Sequence, residues 1–220
     1  VRSIDTAAVR GRFTDDRWLA FKRDLLVFGP RIPDWRRLFL DHGYNDPPPR
    51  ALLLHVLVGG LPATPTTLTV LSALDYVLIA AALWLARRAF GPVAGAAGAA
   101  FFLLSFFGRF DFIGGSILRW DWIAALVGGV ACLARGAGAT AGLLLGYAAV
   151  ARLFPVLFLV PLAIKWLQAR RAQAPDRALT RCLAAAGGVL LTAGIAAGLA
   201  GDRVFMAEFL VKIWTHGGTA

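Results

Sequence analysis

Charged residues are missing from long stretches of this chain, and those gaps predict its architecture. Thr66–Ala86 holds Asp75 as its one charge, while Gly91–Gly108, Trp122–Ala134, Gly136–Ala151, Leu153–Ile164 and Cys182–Gly201 hold none. A hydrocarbon core about 30 Å thick requires roughly 17–25 apolar residues per spanning helix. The pattern therefore predicts six spans, of which Trp122–Ala134 and Leu153–Ile164 are short. Trp122–Ala134 reaches spanning length only if it starts near Ile117. Ala51–Gly60 is apolar but too short to span, and reads as an interfacial or re-entrant helix. The expected fold is an all-α integral membrane bundle over residues 51–201. Residues 1–50 form an extracytoplasmic loop with short juxtamembrane helices, and residues 202–220 begin a further such loop.

Arg152-Leu-Phe-Pro155 interrupts the pattern. A single helix over Gly136–Ile164 would hold Arg152 in mid-membrane, at a cost of about 2.5–3.5 kcal/mol or more, and Pro155 would kink it. Two short helices meeting at a turn bring the guanidinium to the membrane edge, and the pattern favours them. Gly91, Gly95, Gly98, Gly142 and Gly146 recur at spacings near four, which permits close helix packing in lipid.

Composition agrees with the gaps. Hydrophobic residues make up 58% of the 220 and charged residues 16%, against about 25% charged in a soluble domain. Fifteen Phe and seven Trp exclude intrinsic disorder, and two Cys exclude a disulfide scaffold. The net charge of +10 sorts by side. Arg87, Arg88, Arg135 and the run Lys165 to Arg181 form one set of loops, with eight basic residues and one acid. The other set, Arg109 to Asp121, Arg152 and the tail after Gly201, has five basic and four acidic residues. Short Lys/Arg-rich loops stay cytoplasmic, which turns the first set inward and residues 1–50 outward. The alternation requires the break at Arg152. The basic excess thus anchors loops, and no nucleic-acid-binding motif accompanies it, so the expected partner is the bilayer and not nucleic acid. High Ala, Gly and Arg suggest a GC-rich bacterium, and hence a multi-pass protein of its plasma membrane.

The outward segments carry the candidate chemistry. Phe13-Thr-Asp-Asp-Arg-Trp18 opens a helix with Thr14 or Asp15 as N-cap. Trp18, Phe21, Leu25 and Phe28 give it an apolar face, and Arg31–Leu40 is a second amphipathic stretch. Asp41-His-Gly-Tyr-Asn-Asp-Pro-Pro-Pro49 is a polar turn whose three prolines exclude helix. Arg109, Arg119, Asp121, Arg152 and His216 fall on the same side as these residues. Arg119, Asp121 and Arg152 lie at the ends of apolar spans, where a charge is tolerated if it is paired or in use. Arginines with carboxylates at the outer leaflet suit an anionic lipid headgroup, held by the bidentate guanidinium fork, beside a proton acceptor. The plainer alternatives are a snorkelling flank or structural ion pair for Arg119 and Asp121, and a helix cap or solvated charge for each acid.

The order of paired acids, short helices and a Pro-rich run into a membrane helix resembles the polytopic glycosyltransferases of the C superfamily, which use dolichyl- or polyprenyl-phosphate sugars. The residues that carry it are Asp15-Asp16 with Trp18, and Pro47-Pro48-Pro49. The Gly-rich segment from Arg135 to Arg152-Leu-Phe-Pro155 is similar to one in the mannosyltransferase-like branch. Asp16 stands where the family often has Glu, and Asn45-Asp46 where it has Lys before the prolines. The family's first membrane helix has no counterpart, so the chain, which opens on Val1, reads as a piece of a longer protein.

The resemblance implies hexosyl transfer with inversion, from a polyprenyl-phosphate-linked donor to a hydroxyl of a glycan, lipid or protein. By the same resemblance Asp15 takes the position of the base, with Asp16 second. Arg119 and Arg152 would hold the phosphate with Arg109 behind them, Asp121 would join the substrate-binding set, and His42 and His216 would either orient bound groups or serve the structure. Metal-ligand spacing, a P-loop, a GxGxxG after a strand and Gly-x-Ser-x-Gly are absent, so no cofactor is expected, with a divalent metal left open. Cys132 and Cys182 fall in or beside membrane helices as inert thiols. Two other classes fit the pattern: a transporter drawing on Asp75 and Arg152, and a noncatalytic membrane assembly protein.

Overall fold

The computed structural model describes residues 10–11, 13–31, 47–62, 64–105, 118–200 and 211. Among these the regular structure is helical throughout, with no strand. The chain divides into two compact units, Val1–Tyr44 with Leu61–Thr67, and Asn45–Gly60 with Leu68–Ala220.

In the first unit, α1 (Asp15–Phe28) is capped by Thr14, whose hydroxyl accepts the Arg17 N–H at 3.4 Å. Phe13, just before the cap, packs on Trp18 with ring centroids 5.5 Å apart, the hydrophobic staple that fixes the entering chain. Phe21 joins the pair, 5.5 Å from Trp18, and the Arg10 guanidinium lies over the Trp18 ring at 5.5 Å. Leu25, also on the expected apolar face, remains exposed. Gly29 ends α1 and starts the 3-10 turn Gly29–Arg31. The second amphipathic stretch, beyond Arg31, lies outside the described residues.

The second unit begins with α2 (Pro48–Val58). Pro48 and Pro49 stand inside its first turn, which corrects the expectation that the proline run excludes helix. First-turn N–H groups have no partner within a helix, so proline sacrifices nothing there and its fixed φ is already helical. Next come α3 (Pro65–Phe90) and α4 (Pro92–Leu104), separated by Gly91 at φ +92°. Then α5 (Asp121–Ala134) starts at Asp121 and not near Ile117, and Gly136, at φ +77°, turns the chain into α6 (Gly138–Ala151). The break expected at Arg152 is present: Arg152 takes extended backbone, and a 3-10 turn at Phe154–Phe158 leads into α7 (Leu159–Arg171). Asp176 caps α8 (Arg177–Ala200), accepting the Leu179 N–H at 3.0 Å.

Among the described residues two helices, Pro65–Phe90 and Arg177–Leu199, are long and apolar enough to cross a membrane. Pro48–Val58, Pro92–Leu104, Asp121–Ala134 and Gly138–Ala151 are apolar but shorter. α6 is the central helix, packed along α8 on one side and α5 on the other, and α2 lies against both α6 and α8. Gly138, Gly142 and Gly146 make the α6–α8 contact close. A Cβ at Gly142 would meet the Cys182 carbonyl and would come within 2.8 Å of the Ala185 methyl. One at Gly146 would lie 2.9 Å from Val189 Cβ. The contact surfaces are built from small buried residues such as Ala141, Ala148 and Cys182, while Trp84, Phe101, Leu104 and Leu199 point outward.

The C-terminal ends of α3 and α5 are tied, because the Arg135 guanidinium donates to the Arg88 carbonyl at 3.0 Å. At 1.5 Å per residue, Asp75 stands about 20 Å from Arg88 along α3, and Asp121 about 21 Å from Arg135 along α5. The two carboxylates therefore lie at one level.

Candidate functional site

That level holds a buried polar cluster within the second unit. Arg50 of α2, Asp75 of α3, Asp121 of α5 and Tyr147 of α6 gather around the turn Leu118–Trp120 that precedes α5. Arg50, Asp75 and Asp121 are 2%, 0% and 3% exposed. Asp75 spends both carboxylate oxygens on backbone, accepting the Arg119 and Trp120 N–H groups at 2.9 Å each. Arg50 makes an ion pair with Asp121 at 2.7 Å and donates its other terminal nitrogen to the Leu118 carbonyl. The Tyr147 hydroxyl donates to the same Asp121 oxygen that pairs with Arg50. The remaining Asp121 oxygen accepts its neighbour's N–H, from Trp122, at 2.8 Å. A buried charge is tolerated only if its lone pairs and protons are satisfied, and these carboxylates meet that condition. Leu118 sits at φ +50°, a left-handed conformation costly for a branched side chain. Asp75 on one side and Arg50 on the other hold it there.

Arg119 and Arg152 are brought together by this arrangement. Both are half-buried. Burial, and after it the positive charge of Arg152, lower the proton affinity of the Arg119 guanidinium, with Asp75 opposing. Nearby, Trp122 and Phe154 pack edge to face with centroids 4.8 Å apart, joining the head of α5 to the turn after Arg152. Asp121 belongs to the same cluster, with its oxygens engaged by Arg50, Tyr147 and the Trp122 N–H. Asp15 and Asp16 belong to the other unit and form the first turn of α1, where Asp15 pairs with Arg10 and its side chain is 89% exposed. Arg109, His42 and His216 lie outside the described residues.

Two apolar cavities flank Tyr147. One, of about 250 Å³, runs between α3, α5 and α6 past Leu78, Leu85, Ala124 and Leu144, with Asp121 and Tyr147 in its lining. The other, of about 400 Å³, lies between α2, α6 and α8 and is lined by Leu53, Val56, Val150 and Ala193, with Tyr147 on its wall. Among the described residues no three His, Cys, Asp or Glu side chains gather as metal ligands would.

Sequence reasoning passed over Arg50 and Tyr147. Arg50 reads as an ordinary flanking charge after the prolines, and Tyr147 as one more aromatic on an apolar helix. The one signal available was Asp75, alone in its span and so in need of donors. No family model, characterised protein or solved structure matches the chain.

Proposed function

We propose that this chain is part of a membrane glycosyltransferase that moves a sugar from a polyprenyl-phosphate-linked donor to an acceptor hydroxyl at the outer face of a bacterial plasma membrane. The observation that carries the reading is the proximity of Arg119 and Arg152, near enough for one charge to act on the other, in a helical unit whose apolar cavities are lined by residues close to them in the chain, Leu118 in one and Val150 in the other. Two neighbouring guanidinium groups on an otherwise apolar helical unit suit a ligand that is phosphate at one end and hydrocarbon along the rest. In this reaction a carboxylate takes the proton of the acceptor hydroxyl as its oxygen attacks the anomeric carbon. The bond from that carbon to the phosphate oxygen breaks, and the two arginines stabilise the negative charge left on the lipid phosphate. Asp15 is assigned as the base from the resemblance, with Asp16 as the second candidate. Asp75, the carboxylate a transporter would use, is fully committed to backbone amides.

In this reading α3 to α6, the segment Leu153–Ile164 (the 3-10 turn with the start of α7) and α8 are the six membrane spans, with Arg87, Arg88, Arg135 and residues 165–181 cytoplasmic. Two cation–π pairs suit the placement of these helix ends at a membrane interface, on whichever side it faces. Arg88 lies over Trp84 at 4.8 Å and Arg170 over Trp166 at 4.9 Å, both at basic helix ends where interfacial aromatics belong. A cysteine introduced within 165–181 is expected to resist an impermeant thiol reagent in intact cells and to react after permeabilisation; labelling in intact cells would reverse the topology.

The functional test uses the full-length protein in vesicles with a polyprenyl-phosphate sugar as donor. Arg119→Ala and Arg152→Ala should each raise the donor KM about tenfold, the worth of one charge-assisted hydrogen bond. The acceptor KM should hold. Unchanged donor KM in both variants would remove the phosphate from this site.

A further inference from the structure

We infer that Asp75 is a positioning residue, whose carboxylate clamps the Arg119 and Trp120 amides and so delivers the Arg119 guanidinium to the headgroup site beside Arg152. The inference rests on the donor-binding reading above, and it gives a role to the one acid in α3, which is also the one charge between Thr66 and Ala86.

The geometry makes the case in three steps. First, both oxygens of a completely buried carboxylate go to consecutive backbone N–H groups 44 and 45 residues away. One of those groups belongs to the residue that carries the candidate phosphate ligand. Second, the turn so held is strained: Leu118 stands at φ +50°, where a branched residue persists only if its surroundings over-determine it. Arg50 supplies the opposing hold through the Leu118 carbonyl, and Asp121 fixes Arg50 in turn. Third, an isolated carboxylate within an apolar helix is costly to bury, whereas stability alone is served by a glycine at 118 and an apolar residue at 75. The arrangement fixes where the main chain of Arg119 sits, and with it where the guanidinium can reach.

The prediction is a non-additive cycle. Asp75→Asn keeps one acceptor but sets an amide NH₂ against a backbone N–H, so the turn loosens. It should raise the donor KM about as much as Arg119→Ala does, roughly tenfold, with kcat and acceptor KM little changed. In an Arg119→Ala background the same substitution should add nothing, because the group it positions is gone. Multiplying KM effects in the double variant would overturn the proposal and leave Asp75 a structural residue. A separate readout needs no activity: amide hydrogen exchange at Arg119 and Trp120 should speed up by about tenfold or more in Asp75→Asn, and unchanged exchange would overturn the clamp. Should Arg119→Ala itself leave the donor KM unaltered, the donor-binding reading fails, while the exchange result still decides the clamp. If Asp75→Asn does not accumulate in membranes, Asp75→Glu, with both acceptors on an arm one methylene longer, carries the same cycle and the same exchange measurement.

Discussion

Gly142→Val is expected to abolish folding of the helical unit. The added Cβ would enter the space of the Cys182 carbonyl and come within 2.8 Å of the Ala185 methyl. The obstacle is backbone, which cannot rotate away as a side chain can. The neighbouring contacts allow no escape by sliding, since a Cβ at Gly138 would meet the Ala178 carbonyl and one at Gly146 would press on Val189. α6 and α8 would have to separate, and theirs is the most extensive helix contact among the described residues. Overpacking typically costs about 1–3 kcal/mol where side chains can adjust. Against backbone the cost is higher, and a whole protein has only about 5–15 kcal/mol to lose. Gly142→Ala should already lower the unfolding temperature in detergent, and Gly142→Val should leave little protease-resistant protein. Gly194→Ala is the control: nothing lies within 4 Å of a Cβ there, and alanine favours helix over glycine by roughly 0.5–1 kcal/mol, so that variant should be as stable as the parent or more so. A Gly142→Val protein that unfolds like the parent would refute the close crossing.

The contrast between Gly142 and Asp75 shows what could be read from sequence. Small residues near four-residue spacing announce a close helix contact, and Gly142 and Gly146 do lie in one. The partner helix was not legible, because the matching small residues Ala178, Cys182 and Ala185 look like any apolar stretch. The break at Arg152 was legible for an energetic reason, the cost of a guanidinium in mid-membrane. So was the Thr14 cap, a local interaction between residues three apart. The polar cluster was not. Arg50, Asp75, Asp121 and Tyr147 are far apart along the chain, and each has an ordinary local explanation. Only tertiary pairing makes them a unit. The prolines misled for a local reason: their helix-breaking character holds in a helix interior and fails in a first turn. Helix lengths diverged too. The apolar gap Leu153–Ile164 is divided between a 3-10 turn and a helix that runs on to Arg171, and Gly136–Ala151 gives up its first two residues to the turn at Gly136.

Asp15→Asn is expected to lower kcat by about 10²–10⁴-fold, the usual worth of a positioned general base. Donor KM should be unchanged, because in the proposed reaction the carboxylate would meet the acceptor hydroxyl and not the phosphate. The fold should hardly register the change. A first-turn acid contributes roughly 0.3–1 kcal/mol through the helix dipole, Thr14 still caps α1, and the Phe13–Trp18–Phe21 cluster is untouched. Activity and stability therefore separate at this position, which they would not at Arg50 or Asp121. Asp15 is the sharper choice of the two acids because its side chain is open to an acceptor yet oriented by Arg10. Arg10→Ala should accordingly reduce kcat by less than Asp15→Asn does, with rate lost through orientation alone. Asp16, one residue further around the helix, should tolerate Asn with a loss below about tenfold. If Asp16→Asn shows the large loss and Asp15→Asn does not, the base moves by one residue and the mechanism stands. If both variants turn over like the parent, no carboxylate of α1 takes the acceptor proton, and the glycosyl-transfer reading loses its base.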